Sequence, residues 1–149
     1  MSQVHSFRRE ARRRRGISLV ELVIVTVIIG ILASMGIPSF HRALEQSRAD
    51  LAAANLWAVW SAERLYWLDH RTYAPDLTTL ESAGLLDHAV SAQSFYHFEV
   101  AGSDDNTFSV TATRAANARW SGTLSIDQNG AVVGVLSAVG LPDIVPSYH

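Results

Sequence analysis

Arg12-Arg13-Arg14-Arg15-Gly16-Ile17-Ser18-Leu19-Val20-Glu21 is the stretch that decides how the rest of the chain is read. Behind it, from Ile17 to Ile37, runs a segment made mostly of Ile, Val and Leu, whose one formal charge is Glu21. A bilayer core of ~30 Å is crossed by about 20 apolar residues at ~1.5 Å each, so the run is a membrane-helix candidate. A lone carboxylate in such a run is costly, on the order of 2.5–3.5 kcal/mol at mid-membrane. Glu21 sits four residues past Ile17, near an interface where the cost is smaller, and still asks for a partner. The arginines ahead of the run favour an orienting role, with the basic side kept in the cytoplasm. An ordinary signal peptide is cut after its apolar core at small residues; the best match, Ser34-Met35-Gly36, is weak.

The order of basic block, single glycine and apolar helix with an early glutamate resembles the prepilin signature of type IV pilins and type II secretion pseudopilins. The resemblance implies that a membrane peptidase cuts between Gly16 and Ile17, on the cytoplasmic side, and that Ile17 is then methylated. It implies an assembly role for Glu21, five residues after the cut, and for Pro38, which falls where the family commonly carries a helix-kinking proline. Ile17 departs from the usual Phe, a position where other apolar residues are tolerated. The implied partners are the prepilin peptidase/methylase, other pilin subunits, an inner-membrane assembly platform, and membrane lipid before assembly. The implied locations are the inner membrane as a single-pass precursor, then a surface pilus or periplasmic pseudopilus. The same residues also allow a plainer reading, an uncleaved signal anchor with an incidental glutamate.

The length, 149 residues, allows one compact domain plus one membrane element. All twelve positive charges are Arg, and six of them precede Ile17. Loss of residues 1–16 would leave six Arg against thirteen acids, a net charge of −7 with His neutral. Nothing in so acidic a remainder supports a nucleic-acid face, a local patch around Arg114 and Arg119 aside. There is no cysteine, so disulfides, thiolate metal sites and thiol catalysis are excluded. Many pilins close a C-terminal loop with a disulfide; this head must rely on packing and hydrogen bonds.

Four segments are expected: a leader at 1–16, a membrane and polymerisation helix at 17–38, its amphipathic continuation at 39–70, and a globular head at 71–149. Gly30, Gly36 and Pro38 are expected to interrupt the first helix, which resumes at Ser39. From Ser39 to Asp69 good helix formers prevail, with Leu44, Leu51, Leu56, Val59, Trp60 and Trp67 as an apolar stripe toward the head. Arg42, Glu45, Arg48, Asp50, Glu63 and Arg64 are assigned to solvated faces. Asp76 should cap a short helix ended by Gly84. Strands are expected over Phe95–Ala101, Thr107–Arg114, Gly122–Ile126 and Ala131–Leu136, with turns at Gly102–Asn106 and Asp127–Gly130. The tail, with Pro142 and Pro146, should be irregular. A long helix on a small antiparallel sheet of three to four strands is an α+β arrangement, and it is the pilin fold that the resemblance implies.

No catalytic residue, cofactor or metal site is assigned. The histidines lack ligand spacing, Asp104-Asp105-Asn106 reads as a turn rather than a calcium loop, and no nucleophile elbow occurs. Trp57, Trp60, Tyr66, Trp67 and Tyr73 read as the junction of helix and head, with an exposed adhesive patch as the alternative. The functional expectation is a structural subunit of a type IV pilus. A type II secretion pseudopilin is the first alternative and a signal-anchored periplasmic binding domain the second.

Overall fold

The computed structural model describes residues 16–115 and 119–147, and of residues 35–38 the backbone alone. Arg8, Arg9 and Arg12 to Arg15, on which the leader reading rests, lie outside the described residues. The chain divides into two units, Met1–Ser39 and Phe40–His149. Helix α1 is Leu19–His70, one element of 52 residues against the 53 expected. The helix does not stop and resume around Gly30, Gly36 and Pro38. A proline removes one ladder bond and strains one turn, and the remaining bonds carry the helix across.

In the second unit α1 lies on a five-stranded antiparallel meander, in the order β1 (Tyr96–Ser103), β2 (Phe108–Arg114), β3 (Ser121–Asp127), β4 (Val132–Ala138) and β5 (Leu141–Ile144). The fifth strand was not expected. Pro142 has no N–H to give, but β5 is an edge strand, where proline is tolerated. It pairs with β4 at Leu136↔Ile144 and Ala138↔Leu141, across an irregularity. Alternation along the strands puts Tyr96, Phe98, Phe108, Val110, Ala112, Leu124, Ile126, Leu136 and Ile144 on the helix side, all buried. Their neighbours Glu99, Thr113 and Val133 face outward, exposed.

The apolar stripe of α1 is corrected in detail. Leu56 and Val59 are fully buried and Trp60 is half-buried, but Leu44 and Leu51 are exposed. Ala49, Ala52, Ala53 and Ala62 occupy the buried face instead. Alanine lets the helix backbone come close to the sheet, so small residues make the contact that bulk alone would have assigned to leucine. Glu45 and Glu63, assigned to solvated faces, are buried as well; each has a partner distant in sequence, described below.

Two short helices precede the sheet, α2 (Leu77–Ser82) and α3 (His88–Ser91). Asp76 caps α2, its Oδ1 accepting the Thr79 N–H at 2.7 Å, and Gly84 ends it at φ +71°, as expected. The Asp127–Gly130 turn is an Asx turn, in which Asp127 Oδ1 accepts the Asn129 N–H at 2.9 Å and Gly130 takes φ +81°. Trp60 packs on this turn and donates its indole N–H to the Gln128 carbonyl at 3.3 Å. A Cβ at Gly130 would stand 3.0 Å from that ring. The β1–β2 turn is held to α1 in the same way, by Trp67 Nε1 donating to the Asp105 carbonyl at 2.8 Å.

Candidate functional site

Gly16, Ile17 and Ser18 precede α1 in non-helical backbone, and Ile17 is 75% exposed. The Ser18 carbonyl accepts the Leu22 N–H at 3.1 Å and so opens the helix. Gly16 does not adopt the left-handed backbone that favours glycine, and a Cβ built there meets nothing within 4 Å. The chain's own fold therefore makes no demand for glycine at this position. Glu21 lies in the first turn, where the partial positive charge of the helix N-terminus favours a carboxylate. It is exposed and has no hydrogen bond or ion pair with the described residues. Pro38 is inside α1, and its side chain is not among those described.

Large apolar side chains from Leu19 to Leu32 are all exposed, and α1 is long and apolar enough to cross a membrane. Two hydroxyls of this apolar stretch are satisfied by the helix's own carbonyls. Thr26 Oγ1 donates to the Val23 carbonyl at 2.9 Å and Ser34 Oγ to the Ile31 carbonyl at 2.8 Å. A lipid environment demands this, because hydrocarbon offers no hydrogen-bond partner.

The head holds two buried carboxylates. Glu45 receives Arg114 from the end of β2 through both oxygens, the Nη2 bond at 3.2 Å, and Arg48 at 3.1 Å. Arg114 also donates to the Phe95 carbonyl at 2.7 Å, while the Arg48 guanidinium lies 4.3 Å from the centre of the Phe95 ring. Glu45, Arg48 and Arg114 line an open cavity of about 520 Å³ with His41, Leu44, Arg119 and Trp120. Sequence reasoning missed this cluster because Glu45 and Arg114 are 69 residues apart. Glu63 is the second. Its Oε2 accepts the Ala74 N–H at 2.8 Å, and its Oε1 has no partner among the described residues. Burial pushes its pKa up to about 7, while the Ala74 hydrogen bond pulls the other way.

The aromatic cluster sits at the helix–head junction. Trp60, Tyr66, Trp67 and Tyr73 are half-buried, and Trp57 is 40% exposed. Tyr73 packs on Phe108 with ring centres 4.7 Å apart. Asp104 uses Oδ1 to accept the Asn106 and Thr107 N–H groups, at 2.7 and 2.6 Å, which accounts for its calcium-loop look. These hydrogen bonds hold its carboxyl below the usual range. Among the described residues no three His, Asp or Glu side chains are placed to hold a metal ion. Glu81, His88 and Ser91 do meet, but glutamate and serine both face His88 Nδ1. A proton relay uses opposite ring nitrogens, so the trio ties α2 to α3 rather than activating the serine.

The model of the prokaryotic N-terminal methylation motif matches residues 11–37. The type IV major pilin protein PilA of Myxococcus xanthus is 39% identical over 62 residues, 42% of this chain and 28% of that protein. Type II secretion system core protein G of Dickeya chrysanthemi is 35% identical over 75 residues, 50% of this chain and 47% of that protein. The type IV wide pilus major component of Thermus thermophilus is 27% identical over 109 residues, 73% of this chain and 80% of that protein. The aligned stretch thus spans half or less of the Myxococcus and Dickeya proteins. Motif, relatives and the long helix on an antiparallel sheet agree: the chain carries the prokaryotic N-terminal methylation motif and is similar to type IV pilins and type II secretion pseudopilins.

Proposed function

We propose that the chain is a structural subunit of a type IV pilus. A prepilin peptidase cuts it between Gly16 and Ile17 and the new amine of Ile17 is methylated. The mature subunit waits in the inner membrane, its apolar helix in lipid, until an assembly platform stacks it onto other subunits. Gly16 carries this reading. The glycine answers no need of the fold, since a Cβ there has open space, and a peptidase that must approach the backbone closely supplies the need. Glu21 then pairs across subunits with the freed amine of Ile17, and Pro38 adapts the helix to its neighbours.

Intact mass of the protein from cells with the peptidase is expected to match a chain beginning at methylated Ile17. Gly16→Val is expected to accumulate unprocessed precursor in the membrane; processing at the normal rate would overturn the cleavage assignment. The pseudopilin of a type II secretion system is a second reading, favoured by similarity to core protein G from several organisms. Deleting the gene separates them: loss of surface filaments supports the pilus, and loss of protein secretion with filaments intact supports the pseudopilus.

A further inference from the structure

From Ile17 onward acids outnumber arginines thirteen to six, yet three of the six arginines line one cavity of about 520 Å³. They are Arg48, Arg114 and Arg119, and the one acid beside them among the described residues is Glu45. The volume lies in the range of small-molecule sites, about 300–1,000 Å³. Three guanidiniums against one carboxylate leave two positive charges in excess, with His41 neutral. Arg114 is fixed: Nε and Nη2 donate to Glu45, Nη1 donates to the Phe95 carbonyl, and the side chain is 6% exposed. Arg48 commits only Nη1 to a hydrogen bond, and its side chain is 37% exposed. Arg119 and His41 are exposed, with no hydrogen bond or ion pair among the described residues. Like charges gathered in one cavity repel one another unless an anion joins them. The fork of a guanidinium matches the oxygens of a phosphate.

We propose that this cavity binds the phosphate of an anionic phospholipid headgroup at the surface of the membrane that holds the chain; the inference rests on the membrane stage of the reading above. Arg48 and Arg119 supply free guanidinium donors, and Arg114 supplies a fixed positive charge behind them. Two observations choose a lipid over free phosphate. The first is reach. Ile37 closes the apolar run, and His41 follows four residues later. Four residues span at most about 14 Å, whatever path the chain takes between them. His41 therefore stays close to the headgroup layer, which adds roughly 5–7 Å on each side of the hydrocarbon core. The second is an apolar edge. Leu44 lines the cavity, 39% exposed, and Phe40, 62% exposed, lies one turn before it on the same face of α1. Inorganic phosphate leaves these side chains uncovered. The glycerol backbone and first methylenes of a lipid cover them.

The full-length chain, extracted in a neutral detergent, is melted with dioctanoyl phosphatidylglycerol, dioctanoyl phosphatidylcholine or inorganic phosphate at equal concentrations. A ligand that binds the folded chain raises its melting temperature, so a rise is expected with phosphatidylglycerol and not with the other two. Arg119→Ala removes an exposed side chain, so its melting without lipid should match wild type. At least about tenfold more lipid should then be needed for the same rise, the loss of one charge-assisted hydrogen bond. Arg42→Ala removes an equal charge one residue from His41 without lining the cavity, and should keep the wild-type response. No rise with phosphatidylglycerol, or an equal rise with phosphatidylcholine, would overturn the proposal. So would a rise that survives Arg119→Ala unchanged, or one lost equally in Arg42→Ala. An equal rise with inorganic phosphate would overturn the lipid assignment in favour of a free-phosphate site. Recovery of the wild-type chain from cells without detergent would overturn the membrane stage itself, whichever way the melting falls.

Discussion

Leu19 to Leu32 and Glu45 to Glu63 are parts of one helix, and hydrophobicity and burial run in opposite directions along them. The first stretch is Ile, Val and Leu on every side, and its large apolar side chains are all exposed. The second packs Ala49, Ala52, Ala53, Leu56, Val59 and Ala62 against the sheet and buries two glutamates among them. Their acids diverge in the same way. Glu21, in the apolar stretch, is exposed; Glu45 and Glu63, in the mixed stretch, are buried. Burial follows from what stands opposite a residue in the assembled state. The second stretch finds its partner in its own chain, and the first finds none among the described residues.

The largest effect expected from breaking that contrast is at Glu45. Arg114→Ala leaves a buried carboxylate with Arg48 alone, and losing one member of a buried pair costs about 3–5 kcal/mol. Melting of the full chain in detergent should fall by well over the change seen for Arg42→Ala, whose hydrogen bond to the Asp143 carbonyl, at 3.5 Å, is marginal. Equal melting for the two variants would remove Glu45–Arg114 from the determinants of stability.

Glu63 gives a smaller, pH-dependent effect. Its pKa is about 7 in the fold against an ordinary 4.5, so between these values the folded chain holds a proton that the unfolded chain has lost. Stability is therefore fully present below about pH 4.5 and declines as pH rises through 7, by at most roughly 3 kcal/mol. Glu63→Gln keeps an acceptor for the Ala74 N–H and cannot ionise, so its melting temperature should vary less over this range. A parallel pH profile for the two proteins would show that Glu63 is not the group responsible.

Glu21→Val should have the least effect on melting of all. The side chain is exposed, with no hydrogen bond or ion pair to the described residues, and the substitution only extends an apolar run. Its consequence belongs to assembly: inserted, processed subunits that polymerise poorly. In the proposed pairing, an ionised Glu21 and a neighbour's amine would gain Coulomb energy in low dielectric and lose much of it to desolvation, so register would be the larger contribution. Normal filament number and length from this variant would remove the pairing.

What the sequence made legible was local. The arginine–glycine–apolar order, the Asp76 cap with Gly84 and the Asp127–Gly130 turn each depend on residues within a few positions of one another, and the structure has the cap and the turn. What was illegible depended on residues far apart. Glu45 looks like any helix surface acid until Arg114 arrives from β2. Alanines carry too little bulk to compete with Leu44 and Leu51 for an apolar stripe, and so two exposed leucines were counted in the docking face while its alanines were passed over. Pro142 and Pro146 marked the tail as irregular, yet Ile144 and Pro146 are fully buried. An edge strand needs few backbone donors, and its side chains can still reach the core.

That tail has a consequence for where the head can fold. Gln46 Nε2 donates to the Val145 carbonyl at 2.9 Å, and the Ser147 N–H donates to Asp50 at 2.8 Å. These bonds and the buried Ile144 fasten the end of the chain to α1 with no sulfur involved. Nothing in the closure waits for an oxidising compartment. The closure of the head is therefore indifferent to redox conditions, and thiol reductants should leave its melting untouched.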